Sequence, residues 1–97
     1  MRALIVDDER PARSEMRHLL EQVGGVEVCG EAATGKQALA AVARLKPDVI
    51  FLDIQMPGMD GFTVARELLD SDNPPLIIFA TAFDSHAVQA FEIDAVD

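Results

Sequence analysis

Ninety-seven residues with 8 Lys+Arg against 17 Asp+Glu carry a formal charge of −9, and 49% of the chain is apolar. That apolar content suits one small globular domain and argues against disorder, while the acidic excess repels nucleic-acid phosphates and anionic lipid, so the domain alone is expected to bind neither DNA nor membrane. The single cysteine, Cys29, excludes an internal disulfide and any CxxC zinc or redox site; no apolar run approaches the ~20 residues of a membrane span, and a cytoplasmic location is expected.

Short apolar runs alternate with amphipathic stretches, which is the rhythm of a βα repeat. Ala3 to Val6 predicts a first strand, and Arg10 to Val23 a helix that has Pro11 near its start and Met16, Leu19, Leu20 and Val23 on one stripe. Gly24-Gly25 stops it. Val26 to Cys29 predicts a second strand, and Thr34 to Leu45 a second helix with Ala38, Leu39, Val42 and Leu45 inward, ended by Pro47. Val49 to Leu52 is an unbroken apolar strand; Asp60 is a good N-cap for a helix over Gly61 to Leu69 that turns Phe62, Val64, Ala65, Leu68 and Leu69 inward. Leu76 to Ala80 predicts a fourth strand, followed by a helix from Asp84-Ser85 to about Ile93. Continuously apolar strands between helices predict an α/β domain with a parallel sheet covered on both faces.

In such a sheet the functional crevice lies beyond the carboxyl ends of the strands, where the strand order reverses. With an order 2-1-3-4, Asp7 and Asp8 at the end of the first strand become neighbours of Asp53 at the end of the third, with Glu9 beside them. Carboxylates this close raise one another's pKa and oppose folding unless a cation neutralises them. All-oxygen donors with no His or Cys nearby select a hard ion, and few carboxylates with room for water favour Mg²⁺ over Ca²⁺. Singly, Asp8 reads as a helix cap and Asp53 as a loop cap; the conjunction with Thr81, a hydroxyl ending the fourth strand on the same edge, favours a site. His18 and His86 read as exposed polar residues and Cys29 as a small core residue. Arg10, Arg13 and Arg17 step along the first helix and read as a solvated face or a contact for an acidic partner.

Gly30-Glu31-Ala32-Ala33-Thr34-Gly35-Lys36-Gln37 nearly spells the phosphate-loop pattern GxxxxGK[ST]. Gln37 replaces the hydroxyl that ligates Mg²⁺, and Glu31 brings negative charge into the cradle, so a nucleotide triphosphatase is the remote alternative. Asp7-Asp8-Glu9 also lacks the DxD of a haloacid-dehalogenase-type phosphatase.

Three stretches together strongly resemble a response-regulator receiver domain of two-component signalling: Leu4 to Glu9, Asp48 to Gly61, and Phe79-Ala80-Thr81-Ala82. The stretch from Thr81 through Ala90-Phe91-Glu92-Ile93-Asp94-Ala95-Val96-Asp97 is most similar to receivers of LytTR-type transcriptional regulators. The resemblance implies a flavodoxin-like doubly wound fold in which Asp53 accepts a phosphoryl group from a sensor histidine kinase. It implies Mg²⁺ held by Asp8, Asp53 and the Gln55 backbone carbonyl, with Asp7 acting through water. Thr81 is then the switch hydroxyl, Ala82 leaves room for the phosphoryl oxygens, and Gln55 and Phe83 modulate acyl-phosphate lifetime. Such a domain is no enzyme beyond its own phosphorylation and dephosphorylation.

Against that pattern, residues 1–97 are expected to form a receiver incomplete at its C-terminus, without the fifth strand and helix, the phosphate-pairing lysine, or an output domain through which DNA would be bound. Lys36 and Lys46 are not placed to substitute for that lysine. An uncovered fourth strand is expected to favour self-association through its edge. A receiver-like interaction domain that is never phosphorylated is the alternative function.

Overall fold

The computed structural model describes residues 1–80. Its sheet has four strands, all parallel, in the order β2-β1-β3-β4: β1 is Arg2–Val6, β2 Glu27–Ala32, β3 Val49–Leu52 and β4 Leu76–Phe79. The helices are α1 (Arg10–Val23), α2 (Gly35–Leu45) and α3 (Gly61–Leu69). This is the expected α/β architecture and strand order. The predicted helix over Asp84 to Ile93 lies outside the described residues.

The central strands hide side chains on both faces, which is why β1 and β3 read as unbroken apolar runs. Leu4, Val6, Ile50 and Leu52 pack with Ala38, Ala41, Val64, Ala65 and Leu68 of α2 and α3. On the other face Ala3, Ile5 and Val49 pack with Leu20 of α1. The apolar stripes are narrower than predicted: Leu19 and Val23 of α1, and Phe62 and Leu69 of α3, are exposed. Phe62 instead lies 5.1 Å from the ring of Phe79, tilted by 54°.

The edge strand differs most from expectation. β2 continues three residues past Cys29, to Ala32, with its register shifting between Ala3 and Leu4 so that Val28 pairs with Ala3 and Gly30 with Leu4. The bulge absorbs Cys29, which is half-buried, and its thiol donates to the Ala3 carbonyl. Gly30, Glu31 and Ala32 are therefore strand rather than a phosphate-cradling loop, which removes the geometric basis of the triphosphatase alternative.

What resembled that loop is a helix start. Thr34 Oγ1 accepts the Gln37 N–H at 3.1 Å and Gln37 Oε1 accepts the Ala33 N–H at 2.9 Å, a reciprocal pairing close to a capping box. Thr34→Ala is expected to cost about 1 kcal/mol of stability in urea denaturation. At the opposite end of the helix, Lys46 closes α2 in the left-handed conformation at φ 50°, and the Arg2 guanidinium donates to the Leu45 and Lys46 carbonyls there. The α2 terminus is thereby anchored to β1, leaving the opposite rim of the sheet for the site.

Candidate functional site

Two backbone bonds set the geometry where β1 and β3 end. Val6 pairs with Leu52, and the Asp53 N–H donates to the Val6 carbonyl at 2.9 Å, while the Asp7 N–H donates across to the Ala32 carbonyl at 3.1 Å. Asp7 and Asp53 thus leave adjacent strands at the same level, and Asp8 follows on the exposed side. One carboxylate oxygen from each of Asp7, Asp8 and Asp53 lies within 4.8 Å of the others. Asp7 and Asp53 are each 7% exposed, the two buried charged residues among those described.

Burial dominates their electrostatics. Desolvation and the Asp7 charge push the Asp53 carboxyl up to about 6, although backbone N–H groups of Gln55 and Ile54 favour its ionised form. Desolvation also raises Asp7, with the Asp8 and Glu9 charges adding to the effect against the Glu9 N–H, which donates to Asp7 Oδ1 at 2.9 Å. A mutually repelling trio of oxygen donors, two of them buried and the third, Asp8, exposed, fits a hard divalent cation, which would relieve both the repulsion and the lost hydration of Asp7 and Asp53.

Asp8 is not the helix cap it would be read as on its own. Glu9 is the residue preceding α1, without a side-chain cap, and the local side-chain bond is made by Asp7. Asp53, in contrast, has the backbone N–H groups of Ile54 and Gln55, in the turn that follows it, favouring its ionised form.

The β3–α3 loop is held from two sides. Met56 is buried in the core, and Gln55 beside it is exposed with its backbone next to Asp53. Gly58 turns the chain at φ 82°, and Asp60 Oδ1 caps α3 by accepting the Thr63 N–H at 2.9 Å. Gly61 then packs directly on the end of β3: its N–H donates to the Ile54 carbonyl at 2.8 Å, and a Cβ there would fall on the Asp53 carbonyl oxygen. Sequence reasoning placed Gly61 only at the start of a helix; its position immediately after the N-cap and eight residues beyond Asp53 was the available signal. Thr81, Ala82, Phe83 and His86 lie outside the described residues. His18 is exposed as expected and lies 3.2 Å from Gln22 Nε2.

The profile of the response regulator receiver domain family matches residues 3–97. The chain belongs to the response-regulator receiver family. Along its whole length this receiver is 48% identical to the sensory transduction protein LytT of Bacillus anthracis and 46% identical to the transcriptional regulatory protein BtsR of Salmonella typhi. It spans 39% and 40% of those proteins. Among solved structures, the response regulatory domain of mrkE from Klebsiella pneumoniae superposes over the whole chain and 80% of that structure, with a TM-score of 0.79 at 37% identity. The response regulator domain of Thermotoga maritima CheB superposes over 99% of the chain and 70% of that structure, with a TM-score of 0.79 at 29% identity. The flavodoxin-like fold expected from the resemblance is thus the fold observed. Among the described residues, no helix is long and apolar enough to cross a membrane.

Proposed function

We propose that this receiver is a phosphoacceptor switch, taking a phosphoryl group from a sensor histidine kinase onto Asp53 in the presence of Mg²⁺. The observation that carries the reading is the buried Asp53 carboxylate set among the oxygens of Asp7 and Asp8 at the end of the central strands. Even without a metal, where burial and the Asp7 charge push it up to about 6, the Asp53 carboxyl is ionised at neutral pH, the form a nucleophile needs. A carboxylate oxygen of Asp53 attacks phosphorus in line, the P–N bond of the phosphohistidine breaks, and the departing imidazole nitrogen takes up a proton. Hydrolysis of the resulting acyl phosphate returns inorganic phosphate and the free carboxylate, so the chemistry is confined to the domain's own modification.

Asp8, Asp53 and the Gln55 carbonyl are the groups assigned to Mg²⁺, with Asp7 acting through water. A bound ion would offset the charge on the transferring phosphoryl oxygens. Thr81 is assigned the hydroxyl that reports phosphorylation, Ala82 the space beside it, and Gln55 and Phe83 the control of lifetime. A solved relative at 26% identity is the isolated receiver of RcsB from Salmonella enterica with the phosphomimetic BeF3−, which supports the same use here. The similarity to BtsR, a transcriptional regulatory protein, supports a transcriptional role; a cytoplasmic location and DNA binding through a separate output domain complete the proposal.

Intact mass after incubation with acetyl phosphate tests the central reading. One added phosphoryl group is expected in the wild-type protein, absent without Mg²⁺ and absent from Asp53→Asn. Labelling that survives Asp53→Asn moves the acceptor elsewhere; no labelling of wild type or of a chain lengthened through the fifth strand and helix favours the phosphorylation-independent interaction domain, whereas labelling of the lengthened chain alone assigns the loss to the missing elements.

A further inference from the structure

Two of the three arginines in the α1 row are engaged within the domain, while Arg10 is exposed. Arg13 and Arg17 converge on Glu31 of β2: Arg13 Nε lies 3.1 Å from Glu31 Oε1, while Arg17 Nε and Nη2 lie 2.8 and 2.7 Å from Oε2. Partial burial works against ionisation of Glu31, but the hydrogen bonds and charges of Arg17 and Arg13 hold its carboxyl below the usual range. Only Arg13 reaches further. Its Nη1 donates to the Asp7 carbonyl at 2.7 Å, and its side chain is 15% exposed.

We infer that Arg13 is a positioning residue for the acidic site, using its guanidinium fork to lock the Asp7–Asp8 peptide plane against β2 and so set the direction in which Asp8 leaves the chain. The inference rests on the metal-binding reading above. The Asp7 carbonyl and the Asp8 N–H belong to one planar unit, so fixing the carbonyl fixes the start of Asp8. The same short segment is also held by the Asp7 N–H on the Ala32 carbonyl and by the Glu9 N–H on Asp7 Oδ1. Between them these bonds fix the backbone from which Asp8, the exposed ligand candidate, projects. A guanidinium suits this task because its donors are rigidly disposed and serve two acceptors at once, whereas an ammonium is a point charge on a flexible stem.

Positioning and simple charge predict opposite signs. As a positive charge beside the cluster, Arg13 opposes a divalent cation, and its removal would tighten metal binding; as a positioning residue, its removal weakens it. Calorimetric Mg²⁺ titration of the 97-residue chain, paired with thermal melts, is therefore run on wild type, Arg13→Ala, Arg13→Lys and Arg17→Ala. Arg13→Ala is expected to weaken Mg²⁺ binding about 10-fold, the scale on which outer groups that orient metal ligands act. Arg17→Ala, which loses only the Glu31 pair, is expected to bind Mg²⁺ as wild type does. Arg13→Lys keeps the charge and the stem, is expected to recover only part of the loss, and carries the test where Arg13→Ala does not fold. Unchanged or tighter Mg²⁺ binding by a folded Arg13 variant overturns the inference alone, as does an equal loss in Arg17→Ala. Failure of the wild-type chain to bind Mg²⁺ overturns the metal-binding reading and this inference with it.

Discussion

Asp53→Asn is expected to stabilise the metal-free receiver at neutral pH by on the order of 2 kcal/mol, a rise in Tm of about 10 °C for a domain of this size. Desolvation and the Asp7 charge push the folded-state pKa of Asp53 up to about 6, from 3.8 for an ordinary aspartate. The folded state therefore holds a proton that the unfolded chain has already released between those values, and stability falls as pH rises through that window. Below it both states are protonated and the penalty vanishes; above it the full penalty applies. Asn carries no charge at any pH and keeps one oxygen to accept a backbone N–H of the turn. The advantage of Asp53→Asn over wild type should thus be absent near pH 4, grow toward pH 6 and level off by pH 7.

Two controls fix the interpretation. Mg²⁺ should raise the Tm of wild type and narrow the gap to Asp53→Asn, because a ligand that binds only the folded state stabilises it. Glu31 contributes with the opposite sign: its carboxyl is held low in the folded protein, so the stability it provides is present above its unfolded value and lost as pH falls through the lowered one. Melts of both proteins in chelator across pH 3.5 to about 8 separate these limbs. An Asp53→Asn protein no more stable than wild type at pH 7.5 overturns the argument.

How much of this was legible beforehand follows from what each element depends on. β1, β3 and β4 lie within a residue of their predicted spans because their apolar runs end in polar residues and must be covered on both faces. β2 was cut short because an edge strand tolerates Gly30 and Glu31, residues that read as loop until a bulge and two arginines accommodate them. The acidic trio was legible since it requires only strand ends and strand order. Arg13 and Gly61 were not, because what they do depends on how closely two helices approach the strand ends, and neither periodicity nor composition encodes that distance. The stripes on α1 and α3 were overread for a related reason: periodicity marks Leu19, Val23, Phe62 and Leu69 as apolar but does not say how far around each helix the packing extends.

Gly61→Ala is expected to cost about 3 kcal/mol and to disable the site, although helix propensity alone ranks Ala above Gly by up to about 1 kcal/mol. Gly61 needs no left-handed backbone; it is required by proximity. A Cβ at this position would sit 2.8 Å from Ile54 Cα and 3.0 Å from the Asp53 carbonyl carbon, besides falling on the Asp53 oxygen. Every one of those atoms is backbone, so no rotamer change relieves the clash. Either α3 lifts from the end of β3, stretching the 2.8 Å bond from Gly61 to the Ile54 carbonyl, or Asp53 itself is displaced from Asp7 and Asp8. Gly24→Ala is the contrasting variant, because Gly24 sits at φ 80° with nothing within 4 Å of its missing Cβ. Its cost is backbone strain of about 2 kcal/mol at the far end of α1, because φ 80° with ψ 160° is open essentially to glycine alone, with Mg²⁺ binding and labelling by acetyl phosphate unchanged. Urea midpoints and Mg²⁺ titration of the two variants side by side decide the matter. Gly61→Ala that folds as stably as wild type and binds Mg²⁺ normally would mean that α3 can shift without moving Asp53, and that the close approach of Gly61 is incidental to the site.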